Sequence, residues 1–340
     1  MSAVFPPRQV RARDQPLAVF DDADRNLFRA SFGRTAFMMQ HRLAQDPLFS
    51  LPRLTVAAAR LIASGRGNRF NVRAGSRSVE TPYSQVRTRP QTLSAFYDIE
   101  GSDSFIKLTN INEVDEEYAA VCRGVVADTE AMVGHAILGG VTLVNMTVFI
   151  ASPIVVTPYH IDHDANFLCQ IAGEKDVYLF DANDRELLTF DEIEQFYFGN
   201  RDAARYREQF QPRGRCFHVT PGLGVHHPQL WPHWVRNGPN VSVSVSIHIC
   251  TRDLDRRAHV IQVNRILKKA RLHPRPPDES ILLDSIKASG LHLMGTSHPA
   301  STADVVYSGL DRLSAGVRKM RSVKTATKEW VTRLGHGPRH

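Results

Sequence analysis

The chain has 340 residues, 42% of them hydrophobic, with 42 Lys and Arg against 35 Asp and Glu. That composition excludes a disordered or collagen-like chain, and the length suffices to bury a core without covalent staples. The formal charge of +7 admits an acidic partner without demanding nucleic acid. Four scattered cysteines (Cys122, Cys169, Cys216 and Cys250) with no CxxC spacing exclude a disulfide scaffold and a zinc knuckle, and reduced thiols are expected. No apolar run is long enough to span a bilayer.

Met1 to Pro16 reads as a loose arm without a signal-peptide core, so a cytoplasmic protein is expected. Asp21 to Phe32 suits a short helix, Phe37 to Met39 a strand, and residues 52–63 an amphipathic helix entered through Pro52. Residues 64–92 are rich in Gly, Ser, Arg and Pro and read as loop. Phe105 to Ile111 alternates like a strand. Asp115 to Met132 carries a helical stripe of Tyr118, Cys122, Val125 and Met132, which suits core packing.

From Thr142 the pattern changes to short β segments: Thr142–Val156, Phe167–Ile171, Asp176–Phe180, Phe217–Thr220 and Val241–Ile249. Such a series predicts a sandwich or barrel, interrupted by a partly helical insertion over 183–211. The last segment alternates Val or Ile with Ser. It is half-buried with Val and Ile inward, or the reverse if the barrel interior is polar. After Arg252 helices are predicted over 255–269, 280–288 and 303–333. From Arg312 onward there are eight Lys and Arg and one acid, Glu329, which suits a solvated basic face and a frayed tail.

The chemistry concentrates in Thr157-Pro-Tyr-His-Ile-Asp-His-Asp164. On a strand, residues two apart share a face, so His160 and Asp162 converge on one point. A third ligand from a distant strand would complete a two-His-one-carboxylate triad with open positions, the mark of non-heme Fe(II) oxygenases. His233, flanked by Trp231 and Trp234 and followed by the Asn237-Gly238 turn, is preferred for that role. His226 and His227 compete, but they lie in a glycine-rich turn where a ligand would be poorly aimed. His163 points away from this face, and Asp164 is a neighbour or solvated. Lys175, in Gly173-Glu-Lys, can pair with the distal carboxylate of a small dicarboxylic acid.

These residues resemble the JmjC and cupin-like Fe(II)- and 2-oxoglutarate-dependent oxygenases, with similarity to the factor-inhibiting-HIF asparaginyl hydroxylase and to bacterial cupin-like proteins. The resemblance rests on Thr157-Pro-x-His160-x-Asp162, Asn166-Phe167, Gln170-Ile171, Gly173 and Lys175. It continues in Pro232-His233-Trp234-Val235, Asn237-Gly238 and the Val-Ser strand. It is dense over roughly 145–180 and 217–250. It implies a double-stranded β-helix (jelly-roll) core flanked by N-terminal and C-terminal helices, and iron held by His160, Asp162 and His233. It also implies that Thr157 and Lys175 bind the distal carboxylate of 2-oxoglutarate and that Asn166 lies near its metal-bound end. Ser246 stands where the asparaginyl hydroxylase has asparagine, and the approach Gly222 to Pro232 differs from the family's usual one, so the rim from His226 to Trp231 is expected to be specific to a subgroup.

The expected domains are an N-terminal region, 1–135, a catalytic barrel, 136–252, and a C-terminal helical region, 253–340, that can support a homodimer. The expected activity is hydroxylation of a C–H bond with Fe(II), 2-oxoglutarate and O2, on a protein or peptide side chain. The alternatives are a small-molecule substrate with the same chemistry, or a non-catalytic cupin-like regulator, against which the intact triad and Lys175 argue. Nucleic acid is not expected as a partner, and no membrane segment is expected.

Overall fold

The computed structural model describes residues 18–76, 78–134, 140–296, 299 and 301–315. The arm at the N-terminus and the basic tail therefore lie outside the described residues, as does most of the helix predicted to end at 333.

Eight strands form the jelly roll: β5 (Val141–Ala151), β6 (Val156–His160), β7 (Ala165–Ala172), β8 (Lys175–Leu179), β9 (Arg215–Val219), β10 (Leu223–His227), β11 (His233–Asn237) and β12 (Ser242–Thr251). Four of them make a smaller sheet in the order β6-β11-β8-β9. The other four are the centre of an eight-stranded sheet that earlier strands extend at both edges. β1 (Phe37–Gln40) joins β10, while β4 (Ser104–Thr109), β2 (Phe70–Ala74) and β3 (Thr88–Arg89) continue from β5. All these pairings are antiparallel.

The segment read as loop over 64–92 thus contains two strands. Its composition is poor in core formers, but Phe70 and Val72 are buried, and pairing of β2 with β4 satisfies its backbone. Tertiary pairing here overrides weak local propensity.

Helices α1 (Arg25–Ser31), α2 (Leu51–Ala63) and α3 (Glu116–Val133) cover the large sheet. Their apolar faces meet Ile106, Leu108, Met146, Val148, Ile150, Val243, Val245 and Ile247 in one core cluster. The intervening residues of the same strands, among them Lys107, Asn145, Thr147, Ser244, Ser246 and His248, face the barrel lumen. Of the two orientations open to the Val-Ser strand, the second is observed: its aliphatic side chains point out of the barrel, into the helical layer.

The small sheet is covered by α4 (Phe190–Tyr197) and by α5 (Arg252–Lys269), which meet Tyr159, Phe180 and Trp234. α4 lies within the expected insertion and opens on a capping box between Thr189 and Glu192. α6 (Ile281–Met294) and a last helix, α7, over residues 302–315 follow. Between the sheets, Leu168, Val177, Leu179, Val219, Val225 and Val235 fill one half of the barrel. The other half is a cavity. Among the described residues, no helix is long and apolar enough to cross a membrane.

Candidate metal centre

β6 and β11 are neighbours in the small sheet, and their register sets His233 directly opposite His160. Asp162 lies two residues past the end of β6, where the Leu230 N–H donates to its carbonyl at 2.9 Å. Leu230 adopts a left-handed conformation, φ 62°, to make that link. A branched side chain rarely sits there without reason, and here the turn pins the carboxylate beneath both imidazoles.

The resulting triangle is compact. The Asp162 Oδ2 atom is 3.8 Å from His160 Nε2 and 3.7 Å from His233 Nε2, and the two rings are 4.1 Å apart. Each histidine uses its other nitrogen on the backbone: His160 Nδ1 donates to the Pro158 carbonyl at 2.8 Å, and His233 Nδ1 to the Trp231 carbonyl at 3.0 Å. A carbonyl only accepts, so Nδ1 carries the proton and each Nε2 lone pair faces Asp162. That is the tautomer and aim a metal ion requires. Burial and the neighbouring His160 push His233 down to about 4, with Asp162 only partly opposing them. Burial works to raise the Asp162 carboxyl, but His160, His233, His248 and Lys107 outweigh it and hold the group below the usual carboxylate range.

The triad opens into a cavity of about 300 Å³ lined by Thr157, Asn166, Lys175, His227, Ser244 and Ser246, among others. Lys175 is the first residue of β8 and only 5% exposed. It is delivered there by a tight turn at Gly173, φ +65°, where an added Cβ would meet the Val241 carbonyl oxygen at 2.5 Å. The lysine donates to Ser244 Oγ at 2.9 Å and has no carboxylate partner among the described residues, and burial pushes its ammonium down to about 7. Ser246 donates to Asn166 Oδ1 at 2.7 Å. At the mouth, Tyr83 stacks on His160 at 5.2 Å, and His248 pairs with Asp164 at 2.8 Å. Burial opposes the charge on His248, but Asp164 holds its pKa above the ordinary value.

The structure brings together every residue singled out in the sequence: His160, Asp162 and His233 at one point, with Thr157, Asn166, Lys175 and Ser246 around the same cavity. It corrects the reading of His226 and His227 as members of a loose turn. Both lie on β10, which pairs with β1 on one side and β7 on the other, so strand pairing sets their aim. Gly224 serves close packing rather than flexibility, since a Cβ there would meet the Leu168 carbonyl oxygen at 2.9 Å. His226 turns outward against Phe32, Phe37 and Phe167, and His227 turns inward. Sequence reasoning missed Tyr83, placed in a supposed loop. It also missed Ser244, although its spacing of two from Ser246 on an alternating strand signals the same face.

A jelly roll with two imidazoles and a carboxylate converging inside its barrel defines a cupin-type protein with a candidate metal centre. The chain belongs to the family described as cupin-like domain, which matches residues 65–248, more than half of its length. No curated protein sequence matches it significantly. Among solved structures it is similar to the ribosomal oxygenase YcfD from Escherichia coli, at 13% identity and a TM-score of 0.45 over 83% of this chain and 72% of that one. A second structure of Escherichia coli ycfD gives 13% identity and a TM-score of 0.49 over 88% and 80%. The same protein in complex with cobalt and 2-oxoglutarate gives 13% and 0.43 over 95% and 73%.

Proposed function

We propose that the protein is an Fe(II)- and 2-oxoglutarate-dependent oxygenase that hydroxylates a C–H bond of a protein or peptide side chain. The observation that carries this reading is the pairing of two features in one cavity: a triad whose Nε2 lone pairs and carboxylate are left for a metal, and a buried lysine with no anion among the described residues. His160, Asp162 and His233 would hold a divalent iron as a set of two imidazoles and one carboxylate. Bound there, iron supplies the dioxygen chemistry, in which 2-oxoglutarate is oxidised to succinate and carbon dioxide as the substrate C–H bond is hydroxylated.

The chain's own residues bind, orient and exclude water. Lys175, supported by Ser244, receives the distal carboxylate as a charge-assisted hydrogen bond, with Thr157 beside it. The Asn166–Ser246 pair faces the end of the co-substrate near the metal. Tyr83, Lys107, Phe149 and Arg201 also line the cavity and offer contacts to a substrate side chain. The protonated Nδ1 atoms of His160 and His233 keep their rings from turning. On α6, Leu282, Ile286 and Leu293 are 63–82% exposed on one face, which supports the homodimer suggested by the sequence. Replacing Leu282 and Ile286 with Asp is expected to halve the particle mass in solution, and an unchanged mass refutes that assembly.

The test of the activity is succinate formation from 2-oxoglutarate by protein loaded with Fe(II) without oxygen and then exposed to it. Turnover that requires both iron and oxygen is expected. Stoichiometric iron binding with neither 2-oxoglutarate binding nor succinate formation overturns the reading.

A further inference from the structure

His227 is 3% exposed, and neither of its ring nitrogens has a hydrogen-bond partner among the described residues. Buried polar groups are nearly always paired, so an imidazole with both nitrogens orphaned calls for a partner from outside the chain. Its neighbour on β10 shows the contrast. His226 is equally buried, yet its Nε2 accepts from the Gly33 N–H at 3.0 Å and its Nδ1 donates to the Asn166 carbonyl at 3.1 Å. One histidine is finished by the fold, and the other is left open toward the cavity.

The surroundings say what would complete it. The His227 ring stands edge-on to His233, with centroids 4.8 Å apart. In the β10–β7 register it lies opposite Asn166, whose side chain is held by Ser246. His227 is not among the three residues whose ligand atoms converge for a metal. An imidazole ring with no partner carries an N–H whose hydrogen bond a carboxylate oxygen can accept. Lys175 and His233 stand at opposite ends of the paired β8 and β11, four residues apart along the strand, or about 13 Å between their backbones. With the Lys175 ammonium held by Ser244 across the cavity, there is room for a small diacid between it and the triad.

We infer that His227 donates a hydrogen bond to the carboxylate oxygen of the co-substrate at its metal-bound end, and so orients the chelate. This rests on the function proposed above. Lys175 then reads one end of the diacid by charge, and His227 reads the other through a ring N–H.

The test uses the full chain loaded with Fe(II) without oxygen. Iron stoichiometry and the dissociation constant for 2-oxoglutarate are measured for the natural protein, His227→Phe, His227→Gln and His227→Asn. The expected result is full iron in all four, at least tenfold weaker 2-oxoglutarate binding in His227→Phe, and partial recovery in one amide variant. The visible absorption of the iron–2-oxoglutarate complex is expected to shift in His227→Phe. Unchanged 2-oxoglutarate affinity in the three variants overturns the role of His227 while leaving the proposed activity intact. Loss of iron in the amide variants makes His227 a ligand and also overturns it. Failure of the natural protein to bind 2-oxoglutarate overturns the activity and this inference together. If His227→Phe does not fold, the amide variants decide, since equal affinity in both refutes the contact.

Discussion

The stretch His160 to Asp164 feeds two clusters of similar composition and opposite character. On one side His160 and Asp162 meet His233. On the other, His163 meets Asp255, with Cys250 close by. In the second cluster the polar atoms have protein partners. His163 Nε2 lies 2.9 Å from Asp255 Oδ1, and its Nδ1 is 3.2 Å from the Tyr197 hydroxyl. Asp255 also accepts from Thr142 at 2.6 Å, and Gln229 donates to the Tyr197 hydroxyl at 3.2 Å. Burial raises the Cys250 thiol well above its ordinary value, so no thiolate is offered. This network fastens the barrel to α4 and α5. The first cluster leaves its lone pairs facing one another. Residue types alone do not separate a metal centre from a structural rivet. What separates them is whether the fold has used the ligand atoms already.

The sharpest break of that comparison is ligand removal. His160→Ala, Asp162→Ala and His233→Ala should each abolish stoichiometric iron binding, measured by metal content after desalting, while His163→Ala and Asp255→Ala should keep it. Iron lost from the His163 variant with unchanged stability would reverse the assignment of the two clusters.

Next in size is Lys175, the buried lysine held by Ser244. Lys175→Ala should weaken 2-oxoglutarate by roughly 2–5 kcal/mol, at least about thirtyfold, with iron content near normal. The pH dependence follows from the lowered pKa. Carboxylate binding selects the charged amine, which is half-populated in the free protein at about pH 7. Affinity should therefore be level below pH 7 and fall as pH rises through it, by up to about tenfold per unit. Calorimetric titrations from pH 6 to about 9 check this, and a flat profile would remove Lys175 from the binding step.

The satisfied cluster should report in stability instead. Asp255→Ala strands a buried imidazole and should cost about 3 kcal/mol or more in denaturant unfolding. A variant as stable as the natural protein would mean that the network fastens nothing.

The smallest contrast lies within β12. Val245→Ser places a hydroxyl in the helical layer and should cost about 2–4 kcal/mol in stability. Ser246→Ala, on the lumen side, loses one hydrogen bond and should cost about 1 kcal/mol while changing 2-oxoglutarate affinity more than folding. Equal effects on folding would contradict the outward aim of the valines.

Much of the site is written in local pattern. His160 and Asp162 are legible as a closely spaced pair, although Asp162 lies past the end of β6 and the Leu230 link rather than strand alternation sets its place. His233 is legible because a strand leads away from it toward a turn. Lys175 is legible from its place at the start of an apolar strand. A sandwich or barrel follows from the series of short strands between helical flanks, and the jelly roll from the family resemblance. What the sequence could not decide is anything that depends on a distant neighbour. Alternation in Val243 to Ile249 shows that two faces differ, but which face lines the lumen depends on a layer built from residues before 134. Only when α1, α2 and α3 cover the large sheet does the outside become the drier face and the serine side the polar interior. The aim of His227 is decided in the same way, by pairing with strands about 60 and 190 residues earlier in the chain. A strand's periodicity is a local property of its backbone, whereas the environment on each side of it is set by whatever the rest of the chain packs there.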